Sequence, residues 1–355
     1  MKETAVERHK WLAETTFQDG VALCQSVPGS TAMQMAAYVG LRTGGLPGAV
    51  LSYVGFGLPA FILMYVLSEL YAGTRDVSQV VSAFHGLQVV VVAIVAHAAY
   101  SFGRNLLKNY GDAATAVLSA ALFWWGVSPF VVIIGAALSG ILFFKEVRPV
   151  FPPDRFEETG VRIFKPIAWL FLLLLTGFIG LYAFNAPLFA LAALMLKIDF
   201  FAFGGGFAAL PLMLHEVVGI RGWMDARTFM DGIALGQLTP GPIAITSTFV
   251  GYVVHGASGA IVSTIATFAP SFLILIAAAP FFDRLKNSAY FLRATRGIVV
   301  SFIGLLFFVT MKFAWAVPWD LVRILMGVAA LTALLKKVDL LYVVLVGGVI
   351  SVLIF

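Results

Sequence analysis

Charged residues and cysteine are both scarce in this chain. Asp, Glu, Lys and Arg together make up 12% of the 355 residues, whereas hydrophobic residues make up 61% and the mean hydropathy is +0.97. A soluble domain carries about 25% charged residues, so the composition excludes one and predicts a polytopic membrane protein. The single Cys24 excludes an intramolecular disulfide and a cysteine metal cluster. No paired His and Asp spacing suits a metal either, and we expect neither a metal nor a cofactor.

Apolar runs cover most of the chain, and most of them reach the ~20 residues that a helix needs to cross ~30 Å of hydrocarbon. Two pairs of runs are shorter and joined by tight turns, so each pair is either two crossings or a helical hairpin that only enters the membrane. The sequence therefore predicts an all-α, multi-pass protein. The runs are 19–41, 46–72, 80–103, 113–126, 128–144, 166–184, 187–214, 231–254, 257–282, 297–317, 320–335 and 338–355.

Lys and Arg are unevenly divided between the two sides of the membrane. If every run crosses, 16 of the 23 basic residues fall on one side and four on the other, and the rest lie within runs. Cytoplasmic loops carry the excess of Lys and Arg in membrane proteins. We therefore predict a protein of the cell inner membrane with its basic loops in the cytoplasm. These loops indicate topology, so the lipid bilayer is the expected partner and nucleic acid is not.

Two stretches of the chain repeat each other about 212 residues apart. Ten of nineteen aligned positions are identical without a gap, and after a one-residue slip the match continues through Gly40, Pro59 and Gly86. A long internal repeat in an apolar chain is typical of transporters built from two related halves. The identical pairs are Trp11/Trp223, Thr16/Thr228, Phe17/Phe229, Asp19/Asp231, Gly20/Gly232, Ala22/Ala234, Leu23/Leu235, Gln25/Gln237, Pro28/Pro240 and Gly29/Gly241.

Seven apolar runs separate the two copies, and an odd number means that the copies face opposite ways. We therefore predict two inverted-topology repeats of about 5–6 helices each, with discontinuous or re-entrant helices. The first repeat spans 1–144 and the second 187–355, and a cytoplasmic loop with a linking transmembrane helix fills 145–186. The run 187–214 has no counterpart in the first repeat, so we expect that one membrane segment of that repeat is missing from this sequence.

The sharpest motif follows Asp231 and ends in Pro240-Gly241-Pro242, with Pro28-Gly29 as its first copy. Proline removes a backbone donor and glycine permits positive φ, so each motif predicts a broken helix within the membrane. Such a break exposes N–H groups at the start of the next half-helix, where anions bind well. A kink in a packed helix is the alternative interpretation. The substrate-binding candidates here are Gln25, Pro28, Gly29, Ser30, Gln237, Thr239, Pro240, Gly241 and Pro242.

A run of three glycines after Phe203 predicts a third interruption, because consecutive glycines are poor helix formers. Phe203, Gly204 and Gly205 bring backbone close either to a ligand or to a neighbouring helix, and the sequence leaves both open.

Six ionisable residues are candidates for coupling or gating. Asp19 and Asp231 lie where polar sequence becomes apolar, and the alternative for them is a helix N-cap or a first-turn carboxylate. Lys197 and Asp199 lie inside an apolar run, where charges are costly and usually functional, and they are candidates for a pair. Glu216 and Arg221 precede the second motif, where a solvated face is the alternative.

With these residues identified, the chain resembles the chromate ion transporter family. The phrases that carry the resemblance are Phe203-Gly204-Gly205, Trp223-x5-Phe229-x-Asp231 and Gln237-x-x-Pro240-Gly241-Pro242. The resemblance implies export of chromate, and of sulfate as a similar anion, linked to the proton motive force and carried out by two antiparallel halves. Three departures are Gly206 and Ser30, where the family commonly has Pro, and the absence of the first glycine motif.

The implied substrate is an inorganic oxyanion, and export is physically reasonable. A dianion leaving an inside-negative cell gains about 2 × 2.3 kcal/mol per 100 mV, so a secondary transporter needs no ATPase motif. An exporter of small organic anions or amino acids and a passive anion channel are the alternatives. An intramembrane enzyme is disfavoured because the chain has no nucleophile or metal motif, and a homodimer is left open.

Overall fold

The computed structural model describes residues 1–74, 76–144 and 160–355, and the regular structure in these ranges is helical. The helical structure, with several helices long enough to span a membrane, makes this an all-α, multi-pass membrane protein. The helices are α1 (Glu14–Ser26), α2 (Thr31–Thr74), α3 (Ser78–Leu106), α4 (Tyr110–Trp124), α5 (Pro129–Phe143), α6 (Gly160–Phe184), α7 (Ala186–Phe201), α8 (Gly206–Met213), α9 (Ala226–Leu238), α10 (Thr246–Ala278), α11 (Phe282–Lys286), α12 (Ala289–Ala316), α13 (Leu321–Leu335) and α14 (Leu340–Ile354).

Within the described residues, five helical stretches are long and apolar enough to cross a membrane. They are Thr31–Thr74, Ser78–Leu106, Ile167–Phe184, Ile243–Phe281 and Ala289–Ala316. The predicted linking helix corresponds to α6, while residues 145–159 of the predicted loop lie outside the described residues. The helices α4, α5, α13 and α14 have 15 residues each, which is about 22 Å at 1.5 Å per residue. Within each of these two pairs the helices are joined by a tight turn and pack together, an arrangement that both predicted alternatives share.

The predicted boundaries of the first two runs are wrong in an informative way. The run 19–41 is divided at Val27–Ser30, and its second part joins the run 46–72 in the single long element α2. Inside α2 the backbone leaves helical geometry at Gly44 and Gly45, the latter with φ of 62°. The chain therefore bends where Gly45 permits a positive φ, and Pro28 and Gly29 end α1 instead.

The same backbone irregularity recurs 211 residues later. His255 and Gly256 in α10 have φ/ψ of −139°/23° and 61°/−148°, against −135°/19° and 62°/−154° for Gly44 and Gly45. At each bend the chain folds back, so that the helical arms before and after it pack against each other. Glycines on both arms allow this close approach. A Cβ on Gly40 would lie 2.2 Å from the Gly48 carbonyl oxygen, and one on Gly251 would lie 2.2 Å from that of Gly259. Both stretches thus share local geometry as well as sequence.

Each short hairpin packs against a long helix from the other half of the chain. Helix α12 packs on α4 and α5, and α3 packs on α13 and α14. Glycine allows the close approach in both places, since a Cβ on Gly297 would lie 2.1 Å from the Ala136 oxygen and one on Gly86 would lie 2.4 Å from Ser351 Oγ. The halves are therefore interlocked rather than side by side.

A buried ion pair fixes one of these hairpins. The fully buried carboxylate of Asp112 accepts two hydrogen bonds from Arg296, at 3.1 Å from Nε and 2.7 Å from Nη2. It also accepts the backbone N–H groups of Lys108 and Asn109 at the start of α4. Both carboxylate oxygens thus accept hydrogen bonds, and a buried charge is tolerated only when it is paired and hydrogen-bonded in this way.

Candidate functional site

The first interruption lies between α1 and α2, as the sequence predicts. Helix α1 ends at Ser26 and α2 begins at Thr31, because Pro28 has no N–H to donate and Gly29 adopts φ of 112°. The freed backbone groups find other partners. The Pro28 carbonyl accepts a hydrogen bond from Gln34 Nε2 at 2.6 Å, and Gly29 N–H donates to the Ala202 carbonyl at 2.9 Å.

The second interruption lies between α9 and α10 and is also confirmed. Helix α9 ends at Leu238, and after Thr239–Pro242 a 3-10 turn, Ile243–Ile245, runs directly into α10. Two prolines in this stretch prevent a continuous helix. The Thr239 hydroxyl donates to the Gly236 carbonyl at 2.8 Å and covers the end of α9.

The predicted third interruption separates α7 from α8 at residues 202–205, which we call the glycine segment. Gly204 and Gly205 have φ of 91° and 101°, values that other residues rarely adopt. Pro28 and Phe203 form an antiparallel bridge, so this segment lies along the first interruption. A predicted single run, 187–214, is in fact two helices, because the glycines end α7.

The glycine segment brings the starts of three helical stretches together. A Cβ on Gly205 would lie 3.3 Å from Thr31 Oγ1, at the start of α2, and one on Gly206 would lie 3.4 Å from the backbone nitrogens of Ile243 and Ala244. Gly206 itself begins α8. The first N–H groups of a helix have no partner within it, and its N-terminus carries a partial positive charge. This convergence therefore favours an anion without any cationic side chain.

The two interruptions also rest on the long helices of the opposite halves. A Cβ on Gly29 would lie 2.1 Å from Ser271 Cβ, directly after Pro270 in α10. The counterpart is Gly241, where a Cβ would lie 2.6 Å from Ala60 Cβ, directly after Pro59 in α2. Both glycines allow backbone to approach a proline-containing turn of the other half.

A cluster of buried polar side chains surrounds the first interruption. Gln34 Nε2 is 3.4 Å from the Ser271 carbonyl as well as bonded to Pro28. The Tyr53 hydroxyl donates to the Phe268 carbonyl at 2.6 Å and lies 3.1 Å from Ser271 Oγ. Asp199 Oδ2 accepts the Ser271 N–H at 2.8 Å. We call these four residues, Gln34, Tyr53, Asp199 and Ser271, the polar cluster.

Several buried polar atoms here have no hydrogen-bond partner. They include Gln34 Oε1 in the polar cluster and Gln237 Nε2 in the last turn of α9. Ser247 Oγ and Thr267 Oγ1 in α10 are in the same condition. Leaving a buried donor or acceptor unpaired costs about 1–3 kcal/mol, so a ligand or a water at any of these atoms would gain a hydrogen bond. An amide N–H and hydroxyls are suitable donors to an oxyanion.

Asp19 and Asp231 are not helix caps, so that alternative is wrong for both. Each lies in the second turn of its helix, and Asp225 is the N-cap of α9. Asp19 Oδ1 is 3.6 Å from Lys286 Nζ. Asp231 accepts hydrogen bonds from the Tyr71 hydroxyl at 2.9 Å and from Gln88 Nε2 at 2.8 Å, both uncharged donors on α2 and α3.

Lys197 and Asp199 do not pair, because residues two apart lie on different faces of a helix. Lys197 Nζ instead binds Glu216 Oε1 at 2.7 Å and lies 3.7 Å from the centre of the Phe130 ring. Arg221 Nε is 4.0 Å from the other oxygen of Glu216. Glu216 is buried in a π-helical turn, Leu214–Ile220, so the predicted solvated face is wrong for this residue.

The structure thus brings together some of the predicted substrate-binding residues and not others. Pro28 pairs with Phe203, Gly29 bonds to Ala202 beside it, and Gly205 lies against Thr31, the residue after Ser30. Pro242 leads into the turn beside Gly206. Gln25, by contrast, is exposed although its repeat partner Gln237 is buried, and Pro240 and Gly241 are also exposed. An apolar groove lined by Met33, Leu58, Phe61, Leu170, Pro242 and Ile265 lies nearby, and its lining is unsuited to an anion.

Sequence reasoning missed Gln34, Tyr53 and Ser271. The repeat gave no signal for Gln34, because Ile245 and Thr246 stand 211 and 212 residues later and neither is an amide. Tyr53 and Ser271 are more than 200 residues apart, and only folding joins them.

The family model described as chromate transporter matches residues 1–141 and 189–352. The chain belongs to the chromate transporter family. This match covers both interruptions and the glycine segment, so all three lie within the part of the chain that the family shares. It also agrees with a transporter rather than an enzyme. No solved structure matches the chain.

Curated relatives in the family cover the chain from end to end. A chromate transport protein of Pseudomonas aeruginosa is 28% identical over 100% of this chain and 86% of the relative. A chromate transport protein of Cupriavidus metallidurans is 27% identical over 98% of this chain and 85% of the relative. An uncharacterized transporter of Methanocaldococcus jannaschii is 41% identical over 100% of this chain and 88% of the relative.

Proposed function

We propose that this protein is a secondary transporter that exports chromate across the cell inner membrane. The observation that carries the proposal is the meeting of three helix starts, at Thr31, Gly206 and Ile243, around the glycine segment. Two named chromate transport proteins at 27–28% identity support the choice of anion. Chromate is a tetrahedral dianion whose oxygens accept hydrogen bonds, and helix N-termini supply N–H donors with a favourable dipole.

The binding site we propose uses backbone and neutral side chains. Gly29, Ser30, Gly204 and Gly205 form its backbone wall, and the unpaired Gln237 amide supplies a side-chain donor. Thr239, Pro240, Gly241 and Pro242 hold the second interruption in place. A site without a fixed cation binds a dianion reversibly, which is what a transporter needs. Gln25 is exposed and has no part in this site.

We further propose that residues 1–144 and 187–355 are inverted repeats with the site between them. The matching bends at Gly45 and Gly256 support a two-fold relationship. So do two matching contacts, in which Gly29 packs against Ser271 and Gly241 packs against Ala60. Opposite orientation predicts that equivalent turns face opposite sides. In protein with Cys24→Ala, Asp76→Cys should react with an impermeant thiol reagent added to intact cells. Asn287→Cys should react only after permeabilisation, and labelling of both from one side would contradict the inversion.

Transport itself is tested with purified protein in liposomes at a potential set by potassium and valinomycin. We expect chromate flux out of the inside-negative compartment to rise with the potential, because a dianion gains about 2 × 2.3 kcal/mol per 100 mV. Sulfate, small organic anions and amino acids are measured in parallel. Absence of chromate flux, with flux of an organic anion or amino acid, would establish the rival exporter. Flux that ignores a pH gradient at fixed voltage would establish a passive channel.

A further inference from the structure

Asp199 is a buried carboxyl at the end of α7, directly before the glycine segment. Its exposed fraction is 3%, and Oδ2 accepts the backbone N–H of Ser271 at 2.8 Å. Among the side chains of residues 1–74, 76–144 and 167–355, no Lys, Arg or His forms an ion pair with it. Asp112, a buried carboxylate that pairs with Arg296, shows what a permanent charge receives in this fold. A lone buried carboxylate is costly unless it is paired or neutralised.

Two short paths connect Asp199 to the first interruption. Its backbone carbonyl accepts the Ala202 N–H at 3.1 Å, and the Ala202 carbonyl accepts the Gly29 N–H at 2.9 Å. Its side chain binds Ser271, the residue against which Gly29 packs. A single residue, Ser271, therefore stands between the carboxyl and the Gly29 backbone that we assign to the anion.

The groups that face Asp199 leave it free to change charge. Tyr53 on α2 is the titratable side chain directed at it, and its hydroxyl is engaged with the Phe268 carbonyl. Lys197, on the same helix, is bound to Glu216 instead. The groups on α10 that surround it are neutral serine and backbone. An ionised Asp199 therefore has no compensating charge, and an anion nearby would repel it.

We propose that Asp199 takes up a proton whenever the anion binds, so that one proton travels with each anion. The inference rests on the proposed function and adds its coupling step. When the anion arrives, like-charge repulsion makes the protonated carboxyl the stable form, and departure of the anion on the other side releases the proton there. The net charge moved with a dianion is then one negative charge, so the membrane potential still drives export. The pH gradient enters through the carboxyl.

Asp199→Asn tests the proposal, because asparagine imitates the protonated carboxyl and keeps an oxygen for the Ser271 N–H. Wild-type and variant proteins are placed in liposomes at zero potential with a pH dye inside and a chromate gradient across the membrane. We expect wild-type protein to move protons with chromate, and its flux to fall about tenfold per pH unit once Asp199 is ionised. The variant should carry chromate with at most a twofold pH dependence and without that proton movement.

Comparison of the two proteins separates the carboxyl from the chemistry of the anion. Chromate itself binds a proton in weak acid, so equal proton movement in wild type and Asp199→Asn would overturn the proposal. Loss of pH dependence in Asp231→Asn but not in Asp199→Asn would also overturn it and assign the proton to Asp231. Wild-type chromate flux that responds to the pH gradient without proton movement would overturn the inference and leave the proposed function intact. Flux that ignores the gradient would establish the passive channel instead. Absence of wild-type chromate flux would reject the proposed function itself.

A second measurement requires no variant. Chromate is added at pH 8, where it is a dianion, to purified wild-type protein in weakly buffered detergent. We expect uptake of about one proton for each chromate bound. Binding without proton uptake would contradict the proposal even if Asp199→Asn failed to reach the membrane.

Discussion

Gly29 and Ser271 lie in such close contact that no side chain fits between them. A Cβ on Gly29 would be 2.1 Å from Ser271 Cβ and 2.8 Å from its Oγ, and the backbone at Gly29 has φ of 112°. The contact joins the first interruption to the kinked turn of α10. Because Ser271 also binds Asp199 and Tyr53, the same contact connects the interruption to the polar cluster.

Gly29→Ala should therefore abolish chromate export. The methyl group meets Ser271, and a positive φ costs a non-glycine residue about 1–3 kcal/mol. Export is measured as chromate efflux from loaded cells, with membrane abundance measured by immunoblot. Gly55→Ala is the matched control, since a Cβ at that helical position meets nothing within 4 Å. Wild-type efflux by Gly29→Ala would show that the contact is dispensable.

Gln237→Leu should abolish chromate binding without loss of stability. The Gln237 amide nitrogen is buried and unpaired in the protein, so its removal takes away an unsatisfied donor, which is neutral or stabilising by up to about 1–3 kcal/mol. Thermal unfolding in detergent and chromate binding are measured together. Gln88→Leu is the comparison, because it removes the donor to Asp231 and should lower the unfolding temperature. A destabilised Gln237→Leu protein would indicate a structural role.

Asp112→Ala should strongly destabilise the hairpin of α4 and α5. It leaves the partly buried Arg296 guanidinium without its carboxylate, and breaking a buried pair in this way costs about 3–5 kcal/mol. Thermal unfolding of the purified protein measures the loss. Asp112→Ala combined with Arg296→Met removes both charges and should recover part of it. A double variant less stable than either single one would contradict this account.

Gly297→Ala should destabilise the protein more than Gly57→Ala. At Gly297 a methyl group would meet the backbone oxygen of Ala136 at 2.1 Å, whereas at Gly57 in α2 it would meet the end of the Met33 side chain at 2.8 Å. The end of a methionine side chain can rotate away but backbone cannot, so we expect about 1–3 kcal/mol for Gly297→Ala and less for Gly57→Ala. The comparison uses thermal unfolding of both purified variants, and the reverse order would refute it.

The sequence predicted the three interruptions well because their causes are local. Pro28, Gly29 and the glycines after Phe203 restrict or free their own backbone, and no distant contact is needed to see this. The repeat likewise reported matched geometry, since Gly45 and Gly256 carry the same bend. Run length and tight turns also predicted the paired 15-residue helices α4/α5 and α13/α14.

Partners far apart in the sequence could not be predicted in this way. Lys197 binds Glu216 rather than Asp199 because helix direction and the π-helical turn decide which face it meets. In the sequence Gln34 is a single amide within an apolar helix. Only the fold places it beside the carbonyl groups of Pro28 and Ser271. Gln25 and Gln237 are identical in the repeat, yet one is exposed and one buried, because their surroundings differ.

Gly29 packs against Ser271 of the other half, and Gly241 packs against Ala60 in return. Neither half therefore contains both an interruption and the turn against which it packs. A fragment ending before α6 would carry the first interruption without the kinked turn that supports it, and the remaining fragment would have the opposite deficiency. Two separately encoded fragments produced in one cell should therefore restore chromate resistance together. Either fragment alone should leave the cell sensitive to chromate.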